Sequence, residues 1–138
     1  MGGKIYTPLG AWYHASKHAL EAWSDCLRLE LKQFNIDVVI IEPGIIKTEF
    51  GEVMNGPLMS FAQNGPYANM SKSLLASSDK TYNRYGVGPE VIAKVVSKAI
   101  KSSRPKTRYA AGPLALLSIT SRRFLSDRMF DRMIAFMS

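Results

Sequence analysis

Asp37-Val38-Val39-Ile40-Ile41-Glu42, closed by Pro43-Gly44, is the stretch on which the fold turns. Four consecutive β-branched residues do not alternate with polar ones. A strand with one wet face alternates, whereas a strand covered on both faces reads as a continuous apolar run. Residues 37–42 are therefore expected to form a buried strand of the parallel-sheet kind. Pro43-Gly44 ends it, and Asp37 and Glu42 are expected to mark its two ends.

Upstream, residues 12–33 read as a helix. His18, Glu21, Asp25, Arg28 and Lys32 step by three and four and fall in one stripe. Nearly everything else is apolar or small, so the polar wedge covers roughly 80° of the wheel at 100° per residue. So narrow a wet face predicts burial on more than one side, against the sheet and against a further helix or a second subunit. Helix followed by buried strand is the rhythm of an α/β fold.

Downstream, residues 51–88 are broken by Gly51, Gly56-Pro57, Gly65-Pro66, Gly86 and Gly88. Leu58 to Ala62 and Ala68 to Ala76 are read as short helices within a long connection, which in a compact domain is usually functional, often a lid, or else disordered. Pro89 suits the first turn of a new helix. That helix has an apolar face at Val91, Ile92, Val95, Val96, Ala99 and Ile100 and a lysine face at Lys94, Lys98 and Lys101. Residues 107–111 read as a short strand stopped by Gly112-Pro113. The remainder reads as helix in two pieces, broken near Thr120-Ser121.

Tyr13 and Lys17 lie four apart on the first helix and share a face with Leu20, Leu27 and Leu31. A lysine turned toward protein needs a reason, because burying an unpaired ammonium is costly. A neighbouring phenol supplies one. An ammonium favours phenolate over phenol, which suits a group that gives a proton to a carbonyl oxygen or takes one from an alcohol. The spacing alone is weak, since chance gives roughly 0.4 such pairs in a chain of this composition. An ordinary helical tyrosine beside a snorkelling lysine matches it equally well.

The neighbourhood changes the reading. Tyr13-His14-Ala15-Ser16-Lys17-His18-Ala19-Leu20, then a buried strand, then Glu42-Pro43-Gly44-Ile45-Ile46-Lys47-Thr48, resembles the short-chain dehydrogenases/reductases. That family carries Tyr-x-[Ala/Ser]-[Ser/Thr]-Lys on a helix, a strand, and Pro-Gly with a threonine four residues past the glycine. The resemblance continues through the lid, the Pro89 helix and the 107–111 strand. It implies the C-terminal half of a Rossmann-type, doubly wound parallel sheet. Residues 1–138 would form the C-terminal part of one NAD(P)-binding domain, with a substrate lid at about 51–88.

The activity implied is hydride transfer between NAD or NADP and a carbonyl or alcohol substrate. Tyr13 would be the general acid or base. Lys17 would assist it and hold the nicotinamide ribose. Pro43 and Gly44 would bring backbone close to the nicotinamide, and the Ile46 backbone and the Thr48 hydroxyl would fix its carboxamide. Ligands of open α/β sheets do sit at the carboxyl ends of strands, where Pro43-Gly44 falls.

The same resemblance implies parts that these residues do not contain. The family's Gly-rich pyrophosphate turn has no match, and Gly86-Val87-Gly88 lacks the third glycine. A carbonyl-orienting serine would fall just ahead of Met1, and Met1-Gly2-Gly3 looks like the tripeptide that follows it. The expectation is half of a domain nearly twice this length, inactive by itself and exposing faces that the rest would cover. An inactive fragment or pseudo-enzyme serving only as an interaction module is the competing reading.

Composition narrows the remaining classes. The chain has 138 residues, 46% hydrophobic and 21% charged, with a net charge of +7. That is one globular domain rather than a disordered chain. A basic balance attracts anions, yet no nucleic-acid motif is present and none is expected as a partner. No apolar run reaches the roughly 20 residues of a spanning helix. A single cysteine, Cys26, fits a reducing, cytoplasmic setting and is expected to be a small core residue. His14 and His18 lack carboxylate or thiol neighbours at ligand spacing, so no metal is expected.

Met54, Leu58, Met59, Phe61, Tyr67, Met70 and Leu74 in the lid favour an apolar substrate, and equally suit plain packing. The C-terminal stretch sets Leu125, Met129, Phe130, Met133, Ile134 and Phe136 against Arg122, Arg123, Arg128 and Arg132. Packing onto the domain or a sister subunit is the expected use, ahead of an acidic membrane surface. A homodimer or homotetramer is expected of the intact protein.

Overall fold

The computed structural model describes residues 1–49, 51, 53, 56, 60 and 64–137. In chain order, the described elements are α1 (Ala11–Leu31), a 3-10 turn (Lys32–Phe34), β1 (Ile40–Pro43), α2 (Ala68–Tyr85), α3 (Glu90–Ile100), β2 (Arg108–Ala111), α4 (Ala115–Phe124) and α5 (Asp127–Met137). β1 and β2 pair in parallel, Ile40 opposite Arg108 and Pro43 opposite Ala111. The mixed α/β class and the parallel pairing match the expectation of a partial Rossmann-like sheet.

The strand is shorter than its apolar run. Ladder pairing starts where the Ile40 N–H donates to Thr107 O at 2.9 Å, and residues 37–39 precede it. Glu42 does not mark an end: it lies inside β1 and is buried, at 5% exposure. Side chains alternate across a strand, so Ile40, Glu42, Arg108 and Ala110 share one face of the pair and Ile41, Pro43, Tyr109 and Ala111 the other. Arg108 reaches α1 across the first face. Pro43 lines a hollow with α3 residues on the second. The two helices therefore cover opposite faces.

α1 sits the other way round from its sequence reading. The middle of the polar stripe faces protein: Glu21 is only 13% exposed in its side chain and Asp25 and Arg28 are half-buried, while His18 and Lys32 at its ends are exposed; His14 and Ser24 beside it are buried. The apolar side is open: Trp12, Trp23 and Leu29 are 90%, 61% and 71% exposed, and Cys26 is exposed rather than a core residue. The reason is charge. Arg108 donates to Asp25 at 2.7 and 2.8 Å and to Glu21 at 3.1 Å, and Lys4 sits 3.0 Å from Glu21. Carboxylates matched by buried-side cations turn inward, where unmatched ones could not.

Residues 68–85 form one helix of 18 residues, twice the expected Ala68–Ala76. Its added turns carry Ser77, Ser78, Asp79, Lys80 and Thr81, a polar run without apolar periodicity. The expected helix Leu58–Ala62 lies mostly outside the described residues, as do Met54, Leu58, Met59 and Phe61. The two ends of the long excursion are held together by a parallel bridge between Ile46 and Val87. Its bonds run from Lys47 N to Val87 O at 2.7 Å and from Val87 N to Ile45 O at 3.2 Å.

The C-terminal break falls at Leu125-Ser126, not at Thr120-Ser121. Thr120 and Ser121 return their hydroxyls to carbonyls one turn back and stay helical, Thr120 Oγ1 to Leu116 O at 2.8 Å. Among the described residues the buried apolar side chains are Ala99 of α3, Ala111 of β2, Ala115 of α4 and Phe130 of α5, the last at 1% exposure. Tyr6 meets Phe130 edge-on at 5.1 Å, and its hydroxyl donates to Asp131 at 2.8 Å. Thus α5 packs onto the N-terminal segment, as expected of that stretch, although Phe136 remains 93% exposed. No helix among the described residues is long and apolar enough to cross a membrane.

Candidate active site

Tyr13 and Lys17 occupy the first half of α1, one turn apart, and both are exposed. Their side chains converge, with Lys17 Nζ 5.7 Å from the Tyr13 ring centroid. The backbone of Gly2 lies against the ring: a Cβ added there would stand 3.2 Å from the phenol oxygen. The backbone nitrogen of Met1 donates to Pro43 O at 2.9 Å. Met1-Gly2 thus spans the space from the tyrosine to the end of β1.

His14 fastens this span from below. Its Nδ1 is 2.9 Å from Gly2 O and its Nε2 3.0 Å from Thr7 Oγ1. A carbonyl only accepts, so Nδ1 carries the proton and Nε2 accepts from the threonine hydroxyl. A buried imidazole satisfied at both nitrogens is a fastening rather than a metal ligand.

Pro43, Gly44, Ile46 and Thr48 come together on a single hollow of about 730 Å³. Its other wall is α3, through Ile92, Ala93, Val96 and Ile100, and the lining is mainly apolar. The volume lies within the usual range of small-molecule sites. Tyr13 and Lys17 do not line it. They stand across the Met1-Gly2 span, so the structure brings four of the six expected site residues into one cavity and leaves the helical pair beside it.

Two backbone details shape the cavity rim. The bridge to Val87 uses the Ile45 carbonyl and the Lys47 N–H, which turns the N–H and C=O of Ile46 to the opposite side. Gly44 is required by a close approach: a Cβ there would overlap the Pro113 carbonyl oxygen. Its N–H donates to Ala111 O at 2.7 Å, tying the turn after β1 to the end of β2.

Tyr82 is a participant that the sequence reading missed. From α2 its hydroxyl accepts the Thr48 N–H at 2.9 Å and donates to Thr48 O at 3.0 Å. α2 thereby holds the backbone at the cavity rim. The contact joins residues 34 apart, and no local pattern announces it.

Beneath the site lies a group of charges. Glu42 is held above the usual carboxylate range, first by burial and then by Glu21, against the opposing pull of Lys4 and Arg108. Asp25 is lowered to about 2, chiefly by its bonds to Arg108 and then to Arg28. Among the described residues no group of histidine, cysteine and carboxylates has the form of a metal site.

Residues 1–56 match the family model described as short chain dehydrogenase. The "Uncharacterized oxidoreductase YbbO" of Escherichia coli K12 is 35% identical over 132 residues, covering 96% of this chain and 44% of that protein. The chain belongs to the short-chain dehydrogenase/reductase family. The "NADPH-dependent 3-dehydrocapnine reductase" of Ornithobacterium rhinotracheale is 33% identical over 136 residues, covering 95% of this chain and 46% of that protein. "Retinol dehydrogenase 8" of Bos taurus is 32% identical over 101 residues, covering 67% of this chain and 31% of that protein. The chain spans less than half the length of these curated short-chain dehydrogenase/reductase relatives.

Proposed function

We propose that residues 1–138 are the C-terminal part of one NAD(P)-binding domain, and that the intact protein is an oxidoreductase acting on a carbonyl or alcohol. The observation that carries this reading is the Tyr13–Lys17 pair, converging at 5.7 Å on the helix ahead of a strand whose Pro43-Gly44 end opens on an apolar hollow. The names of the relatives, which include reductases and dehydrogenases, point the same way.

The residues present fit a nicotinamide. The hollow admits a planar apolar ring, and the Ile46 amide faces away from its bridge, so it can meet a carboxamide. When bound, NAD or NADP supplies or accepts the hydride. Tyr13 passes a proton to the carbonyl oxygen in reduction and takes it from the hydroxyl in oxidation. Lys17, one turn on, assists that proton transfer and holds ribose hydroxyls. Pro43 and Gly44 bring the chain close to the ring, while Ile46 and Thr48 orient it. The segment at about 51–88, including α2, serves as the substrate cover. An apolar substrate suits the lining of the hollow.

The test is cofactor-dependent turnover by the protein that contains these residues at full length, against a panel of apolar ketones and alcohols. Tyr13→Phe removes only the proton-transfer hydroxyl. It is expected to lower kcat by about 10²–10⁴-fold while cofactor binding, followed by nucleotide fluorescence, persists. Unchanged turnover in that variant defeats the assignment.

A further inference from the structure

We infer that Arg108 is a positioning residue for the Tyr13–Lys17 helix, an inference that rests on the proposed reaction for its catalytic meaning but on geometry for its substance. Arg108 begins β2, directly opposite Ile40 of β1. Its guanidinium takes both oxygens of Asp25 at 2.7 and 2.8 Å and Glu21 Oε2 at 3.1 and 3.3 Å. The same Nε that donates to Glu21 lies 3.9 Å from Glu42 Oε1, on the residue that precedes Pro43-Gly44. One side chain therefore joins the helix carrying the proton-transfer pair to the strand whose end forms the cavity rim.

The placement along α1 matters. Glu21 is one turn beyond Lys17, which is one turn beyond Tyr13, so all three follow the four-residue step of the helix. A hold at Glu21 and Asp25 sets both the depth and the rotation of the turns ahead of it. Two carboxylates a turn apart, bound by one planar fork, resist rolling in a way that one contact does not. Trp12, Leu20, Trp23 and Leu29 of α1 are exposed and give the helix no hold on the sheet.

The surroundings make the hold specific to an arginine. Glu21 and Glu42 are 13% and 5% exposed in their side chains, and Lys4 lies against Glu21 at 3.0 Å. Arg28 bonds Asp25 from within the helix. Three carboxylates, Glu21, Asp25 and Glu42, thus face three cations, Lys4, Arg28 and Arg108. Glu42 Oε1 is buried without a hydrogen-bond partner, so it depends on the nearby guanidinium charge. A lysine at 108 keeps the charge and loses the fork. Methionine keeps the bulk, loses the charge and leaves the carboxylates to repel.

Two readouts test this in one set of proteins, at a temperature where circular dichroism shows each to be folded. In the full-length protein, Arg108→Met is expected to lower kcat by about tenfold to a hundredfold, with KM for the cofactor changing much less. Arg108→Lys should fall between the wild type and Arg108→Met. Adding Glu21→Gln to Arg108→Met should cost little more. Equal kcat in wild type and Arg108→Met overturns the inference, as does a loss of stability without the kcat-against-KM split.

The second readout needs no reaction. With Cys26→Ser as background, spin labels at Ala19→Cys on α1 and Lys98→Cys on α3 report the distance across the sheet. That distance distribution should broaden or shift in Arg108→Met and, by less, in Arg108→Lys. If the wild type shows no turnover, the proposed function fails and the distances alone decide the positioning role. Superimposable distributions in all folded variants reject it.

Discussion

Gly44 and Glu42, two residues apart, show how much a single position decides here. Gly44 admits the Pro113 carbonyl where any Cβ would overlap it, and its N–H is already spent on Ala111. Gly44→Ala forces the ends of β1 and β2 apart, and a destabilisation of about 1–3 kcal/mol is expected, read as a lower urea midpoint. Glu42 acts through pH. Its native carboxyl binds a proton more tightly than the unfolded chain does, so it contributes most below the ordinary value of 4.5 and progressively less as pH rises through its raised native range. Glu42→Gln does not titrate. It should therefore gain stability relative to wild type between pH 4 and pH 8. A pH-independent difference between the two urea midpoints would count against the raised carboxyl. Asp25 has the opposite sense: held at about 2, it contributes stability above 3.8 that is lost as pH falls from there through about 2.

Among the elements, α1 and α2 each reach the site through a contact remote in sequence. For α2 that contact is Tyr82 on Thr48, two hydrogen bonds from one hydroxyl. Tyr82→Phe removes both and keeps the ring. Amide exchange at Thr48 is expected to rise, along with exchange in the last turn of α2, for a cost of about 0.5–1.5 kcal/mol per bond before solvent compensation. Exchange unchanged at Thr48 would show α2 to be uncoupled from the rim. For α1, the stripe of polar residues was legible as a stripe, but its direction was not. Amphipathic spacing says that two faces differ. Which face is wet depends on what the sheet offers, and here Arg108 and Lys4 offer cations.

The molecule as a whole carries much uncovered apolar surface: Trp12, Trp23, Leu29, Leu116, Leu117, Phe124 and Phe136 are all more than half exposed. Surface of that extent binds hydrophobic dyes and self-associates. The chain is expected to enhance anilinonaphthalene sulfonate fluorescence under native conditions, and Trp23→Lys with Leu29→Lys should reduce the enhancement. No enhancement would mean that these faces are covered in solution. Taken alone, the order of residues determined the α/β class, the helix with Tyr13 and Lys17 on one side, the Pro43-Gly44 stop and the strand read at 107–111 and found at Arg108–Ala111. Those features rest on local periodicity, steric limits at proline and glycine, and spacing along one helix. Tertiary structure alone decided that α1 turns Glu21 and Asp25 toward Arg108, that Glu42 is buried within β1, that residues 68–85 form one helix, and that Tyr82, His14 and Arg108 bond to the segments around the candidate site. Each of those outcomes depends on a partner distant in the chain. Burial is a property of what lies opposite a side chain, which no single segment specifies.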